Sequence, residues 1–134
     1  MYMENIFKPE SVAVFGVSDS PKNLARIIVE NLINFNYKGQ IYPIGKEHGK
    51  VCGKKVFSNL SHIDVVPELA VLLLPANLIP YALRSCGEKG IRNVIIESGG
   101  FTEFDDGRYD LENQVINLAN HFNMRVIGPN CFIA

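Results

Sequence analysis

Short apolar runs alternate with longer amphipathic stretches along almost the whole chain, and turn residues separate them. Ser11-Val12-Ala13-Val14-Phe15-Gly16 is a compact, β-branched run that predicts a buried strand, closed by the polar turn Ser18-Asp19-Ser20-Pro21. From about Lys22 to Asn36 the spacing changes, and Leu24, Ile27, Ile28, Leu32 and Phe35 fall on one helical stripe. Lys38-Gly39 is expected to end that helix, with the glycine in a left-handed cap position. Gln40-Ile41-Tyr42-Pro43-Ile44 predicts a second strand, followed by a loop rich in glycine and lysine from Gly45 to Lys55 and a short segment at Val56-Phe57.

The alternation continues to the last residues. Leu69 to Leu74 is apolar without a break, as a strand covered on both faces should be. Pro75-Ala76-Asn77 turns into a helix through about Glu88, which Gly90 ends. Asn93-Val94-Ile95-Ile96 predicts the next strand, and the loop Ser98-Gly99-Gly100-Phe101 follows it. A helix from about Asp110 to Phe122 and a strand from Met124 to Ile127 lead into Gly128-Pro129-Asn130-Cys131. Strands alternating with helices predict a Rossmann-like, three-layer α/β domain with a mostly parallel sheet of about five strands and right-handed crossovers. No linker, repeat or low-complexity stretch divides the 134 residues, so residues 1–134 read as one domain.

Composition narrows the classes of partner. Thirteen Lys and Arg against fourteen Asp and Glu give a formal net charge of −1. That parity lacks the clustered basic surface a nucleic-acid binder needs, so an anionic ligand must be held by a few placed cations and backbone amides. No apolar run approaches the ~20 residues a membrane helix requires. Met1-Tyr2-Met3-Glu4-Asn5 has no basic region followed by an apolar stretch, so no secretory signal is expected. Cys52, Cys86 and Cys131 are an odd set without Cys-x-x-Cys spacing, which predicts reduced thiols in a cytoplasmic protein.

In an open parallel sheet, ligands bind beyond the carboxyl ends of the strands, and each suggestive loop here falls at such an end. In the first, Gly16 permits a sharp exit, Ser18 and Ser20 offer hydroxyls, and the next helix presents N-terminal amides to a phosphate. Ala25 is small enough for a close helix-to-strand approach. The dinucleotide fingerprint G-x-G-x-x-G is absent, because Ser18 stands at its second glycine. A plain turn with Ser and Asp as helix caps is the competing reading. At the end of the second strand, Glu47 lies near the place of the acidic residue that binds ribose in NAD sites, while its neighbour Lys46 would pair with a phosphate. Spacing leaves both open, although His48, Lys50, Lys54 and Lys55 add positive character.

Five stretches in register carry a family likeness: Ile6-Phe7-Lys8-Pro9-Glu10-Ser11-Val12-Ala13-Val14-Phe15-Gly16-Val17-Ser18, Gly39-Gln40-Ile41-Tyr42-Pro43-Ile44, Leu74-Pro75-Ala76, Glu97-Ser98-Gly99-Gly100-Phe101 and Gly128-Pro129-Asn130-Cys131. From Ile6 to Cys131 the chain resembles the CoA-binding domain of ADP-forming acyl-CoA synthetases, a plan shared with the α subunit of succinyl-CoA synthetase. The resemblance implies coenzyme A as ligand, with Gly16, Ser18, Asp19 and Ser20 at its nucleotide end and Lys22 adding a phosphate contact. It favours Lys46, in Ile44-Gly45-Lys46, over Glu47 as a second phosphate contact, and it places Pro75, Glu97, Ser98 and Gly99 along the nucleotide and pantetheine.

The resemblance also implies an N-terminal module of a longer synthetase, whose phosphohistidine domain and ATP-grasp subunit lie elsewhere. His48, His62 and His121 match no catalytic motif of that family, and Cys131 reads as packing, since CoA brings its own thiol. Asp105-Asp106 reads as a solvated helix start rather than a metal site. The module would hold CoA or acyl-CoA for thiol attack on an acyl phosphate made by other domains. An NAD(H)-binding redox or sensor domain using Glu47, and a non-catalytic interaction subunit, are the alternatives.

Overall fold

A computed structural model of the chain describes residues 8–46, 49–97 and 105–128, with residues 105–109 described through their backbone alone. Strand β1 (Ser11–Phe15), helix α1 (Leu24–Asn34) and strand β2 (Gln40–Ile44) come first, then a small hairpin of β3 (Lys50–Val51) and β4 (Lys54–Lys55). Strand β5 (Leu69–Leu72), helix α2 (Ile79–Lys89), strand β6 (Asn93–Ile96), helix α3 (Asp105–His121) and strand β7 (Arg125–Ile127) complete the order. The five long-range strands form one sheet in the order β2-β1-β5-β6-β7, and each neighbouring pair is parallel. The predicted Rossmann-like class therefore holds.

Side-chain alternation along the strands divides the core in two. Ala13, Phe15, Ala70, Leu72, Val94 and Ile96 join Leu83 and Cys86 of α2 and Val115 and Leu118 of α3 on one face. Val12, Val14, Leu69 and Val71 join Ala25 and Val29 of α1 and Val51 and Val56 of the hairpin region on the other. Burial on both faces explains why these strands read as unbroken apolar runs. Pro43 sits in β2 without disruption because β2 is an edge strand, where a missing N–H costs no ladder bond. Its carbonyl instead accepts from the Phe57 amide at 2.9 Å.

Several boundaries differ from the sequence reading for local reasons. Helix α1 begins at Leu24 rather than Lys22, because Asn23 caps it. It ends before Asn36, which takes the left-handed conformation (φ 59°), so Gly39 is not its cap. Gly39 is required for space, since a Cβ there would lie 2.2 Å from the Tyr37 hydroxyl. The Gly45–Lys55 loop contains the β3–β4 hairpin, turned through Cys52 and Gly53 at φ 53° and 78°. Strand β5 stops at Leu72, so Leu73 and Leu74 belong to the turn above the sheet. Helix α3 starts at Asp105, five residues earlier than Asp110.

Among the described residues no helix is long and apolar enough to cross a membrane. Cys86 has 0% exposure, and burial pushes its thiol up to about 12. Near the amino ends of the strands, the Tyr37 hydroxyl donates to the Pro9 carbonyl at 2.5 Å. Burial, with the nearby carboxylates of Glu68 and Glu10, raises its pKa above the ordinary 10.0.

Leu83→Ala, at a fully buried position, should cost about 2–5 kcal/mol in chemical denaturation. Phe35→Ala, at a position 83% exposed, should change it by less than about 0.5 kcal/mol. For Tyr37 the raised folded pKa means that its contribution is complete below the unfolded value of 10.0 and is lost as pH rises through the folded one. Unfolding free energy should therefore fall above pH 10, and Tyr37→Phe should flatten that part of the profile.

Candidate nucleotide-binding cleft

From β1 the chain crosses to β2 on one side, while β5 pairs with β1 on the other, so β1 lies at the point where the strand order reverses. Sheets of this kind leave a crevice above the carboxyl ends of the strands at that point. A cleft of about 420 Å³ lies there, lined by Lys22, Asn23, Leu24, Ala25, Leu73, Leu74, Pro75 and Glu97. Its two walls are the start of α1 and the turn after β5.

Gly16 makes the crevice possible. Its φ is 96°, and a Cβ built on it would stand 2.0 Å from the Leu73 carbonyl oxygen. Only glycine fits both the conformation and the space. Gly16 and Val17 both donate their amides to the Ile44 carbonyl at 3.0 Å, which ties the turn to the end of β2 as well. On that side Gly45 packs its Cα against the Val17 carbonyl, where a Cβ would lie at 2.1 Å.

The turn after Gly16 is held by its own polar groups. Ser18 Oγ accepts from the Ser20 amide and Ser20 Oγ from the Lys22 amide, both at 3.3 Å. The Ser18 amide donates to Asn23 Oδ1 at 3.2 Å, and the same oxygen accepts from the Arg26 amide at 2.7 Å. Asn23 Nδ2 donates to the Gly16 carbonyl at 2.9 Å. The cap of α1 is thus Asn23, not the serines or Asp19. Among the described residues, the amides of Leu24 and Ala25 at the cleft have no protein acceptor. The helix start therefore keeps two donors for an anion.

The sequence-derived candidates divide by place. Lys22, Pro75 and Glu97 line the cleft directly. Gly16 and Ser18 shape the turn beside it, while Asp19 and Ser20 are exposed on that turn. Lys46 is exposed at the end of β2, outside the cleft lining. Ser98 and Gly99, like Glu47 and Cys131, lie outside the described residues. A helix read from Lys22 hides Asn23 in its first turn; an Asn directly before the apolar stripe is the signal that marks it. Leu73 and Leu74, which the apolar run assigns to the strand, lie in the turn after it.

The hairpin after β2 carries further basic groups. Lys50 and Lys55 stand directly opposite one another in the hairpin, and Lys55 Nζ lies 5.0 Å from the centre of the Phe57 ring. His62 and His121 are exposed and outside the cleft lining. Among the described residues no group of three or more His, Cys, Asp or Glu could hold a metal ion.

Comparison with known proteins gives this architecture a family. A family model described as a CoA binding domain matches residues 10–134. The α subunit of acetate–CoA ligase (ADP-forming) I from Pyrococcus furiosus is 37% identical over 136 residues, covering 98% of this chain and 29% of that protein. An acetate–CoA ligase (ADP-forming) from Methanocaldococcus jannaschii is 36% identical over 129 residues, covering 96% of this chain and 18% of its own length. The solved dinucleotide forming acetyl-coenzyme A synthetase 1 of Ca. Korarchaeum cryptofilum, in complex with phosphate and ADP, superposes with a TM-score of 0.89 at 30% identity. That match covers 97% of this chain and 28% of the solved one. The chain spans less than a third of the length of each of these relatives.

The geometry at Gly16 sets a direct test. Gly16→Ala places a methyl group against the Leu73 carbonyl at positive φ and should cost at least about 2 kcal/mol of stability, read by urea denaturation. A variant as stable as the wild type would mean that the β1 and β5 ends do not meet as described.

Proposed function

The chain belongs to the CoA binding domain family, and on that premise we propose that it is the CoA-holding module of a nucleoside-diphosphate-forming acyl-CoA synthetase. The observation that carries the reading is the donor set of the cleft: the Lys22 side chain and the unspent Leu24 and Ala25 amides beside an apolar floor of Leu73, Leu74 and Pro75. Coenzyme A has phosphates at one end and an amphipathic arm at the other, so donors on one wall and apolar surface on the other suit both parts.

In this reading Lys22 and the two amides hold phosphate oxygens, and Gly16, Ser18, Asp19 and Ser20 form the wall at the nucleotide end. Lys46 faces the more distal phosphate, supported by the lysines of the hairpin. Pro75 and Glu97 line the pantetheine path, followed by Ser98 and Gly99. CoA supplies the thiol nucleophile. The module's task is orientation: remote contacts to the nucleotide fix the arm so that the thiol meets an acyl phosphate formed on other domains. Those other parts, a phosphohistidine domain and an ATP-grasp subunit, would complete the ligase. The names of the relatives, all CoA ligases or synthetases among those above, favour this over NAD(H) binding or a vestigial interaction module.

Isothermal calorimetry with CoA, 3′-dephospho-CoA, acetyl-CoA and NADH tests the reading. CoA should bind, and removal of the 3′-phosphate should weaken it. Lys46→Ala should weaken CoA by up to about fivefold, as suits an exposed charge pair, and should leave the dephospho form unchanged. NADH binding that is lost in Glu47→Ala, with no CoA binding, would overturn it.

A further inference from the structure

Beyond a helix cap, Asn23 carries a second task. A cap needs one acceptor for an amide in the first turn, and Ser, Asp and Asn serve about equally well. Asn23 meets that need with the 2.7 Å bond from the Arg26 amide. Its two remaining bonds run backward, to the Ser18 amide five residues earlier and to the Gly16 carbonyl seven residues earlier. The helix gains nothing from either.

Those two bonds join the turn to the wall of the cleft. The other side-chain bonds within the turn, from the Ser20 amide to Ser18 Oγ and from the Lys22 amide to Ser20 Oγ, span only two residues each. They curl the turn without fixing where it lies. The Asn23 amide alone among the side chains of the turn connects Gly16, which is locked against Leu73, to the start of α1. It also occupies the Ser18 amide, and the unspent backbone donors among the cleft-lining residues are those of Leu24 and Ala25.

We infer that Asn23 is a positioning residue for the ligand: it fastens the Gly16–Lys22 turn to α1 and thereby sets where Lys22 and the helix amides stand relative to the floor of Leu73 and Pro75. The inference rests on the CoA-holding reading above. The role needs a side chain that donates and accepts at once across both directions. Serine can replace the cap but has one oxygen and cannot span Gly16, Ser18 and Arg26 together.

Asn23→Ser separates the two tasks, with Asn23→Ala as the variant that loses both. In Asn23→Ser the thermal midpoint should stay within about 2 °C of the wild type, because the cap is kept. Hydrogen exchange at the Ser18 amide should accelerate at least about tenfold, and CoA affinity should fall by a similar factor as the turn loosens. Asn23→Ala should show the same two changes with a lower midpoint as well. If Asn23→Ser exchanges and binds as the wild type does, Asn23 is a cap and nothing more, and the inference is wrong. If the wild type itself fails to bind CoA, the functional reading falls. The exchange rate at Ser18 then decides by itself whether Asn23 fastens the turn, with an unchanged rate overturning that too.

Discussion

The contact on which the cleft depends is one of backbone against backbone. At the ends of β1 and β5 the Gly16 Cα and the Leu73 carbonyl come so close that no side chain can stand between them. That approach brings the first turn down onto the sheet, directs the Gly16 carbonyl to Asn23, and sets the start of α1 opposite the Leu73–Pro75 turn. A glycine at this point serves the shape of the site rather than flexibility. The second glycine of a dinucleotide fingerprint would let a pyrophosphate lie on the turn itself. Ser18 stands there instead, its amide held by Asn23, so the donors available to an anion shift onto the helix.

Much of the fold was legible because the inner strands β1, β5 and β6 are buried on both sides. Apolar runs such as Val12–Phe15 and Val94–Ile96 are unbroken. What escaped the sequence were positions whose role depends on geometry several residues away. Asn36 and Gly39 are both plausible helix ends, and only the packing of the Tyr37 ring against Gly39 separates them. Leu73 and Leu74 continue an apolar run although the strand has ended, because the turn that carries them also packs against apolar surface. The hairpin within the lysine-rich loop has only two residues per strand, too few for any alternation to show.

Of the candidate site, the residues at strand ends were found by a rule of topology: ligands meet parallel sheets at the carboxyl edge. Lys22, Pro75 and Glu97 come together for that reason although 75 positions separate the first from the last. The same rule could not distinguish a residue that touches ligand from one that arranges the others. Asn23 bonds to Gly16, Ser18 and Arg26 at once, an arrangement no spacing in the sequence announces. Lys46 illustrates the opposite case, a charge well placed by pattern that the folded chain leaves outside the cleft lining.

Strand β1 is an interior strand of the sheet, flanked by β2 and β5. Its pairing with β5 joins residues far apart, and the bond from the Glu68 amide to Ser11 Oγ spans 57 positions. During synthesis, β1, α1 and β2 can associate early, but one side of β1 stays open until β5 has emerged. The entropy of closing so long a loop makes that pairing slow. The Gly16–Leu73 contact, and with it the crevice, therefore cannot form until the β5 segment has emerged.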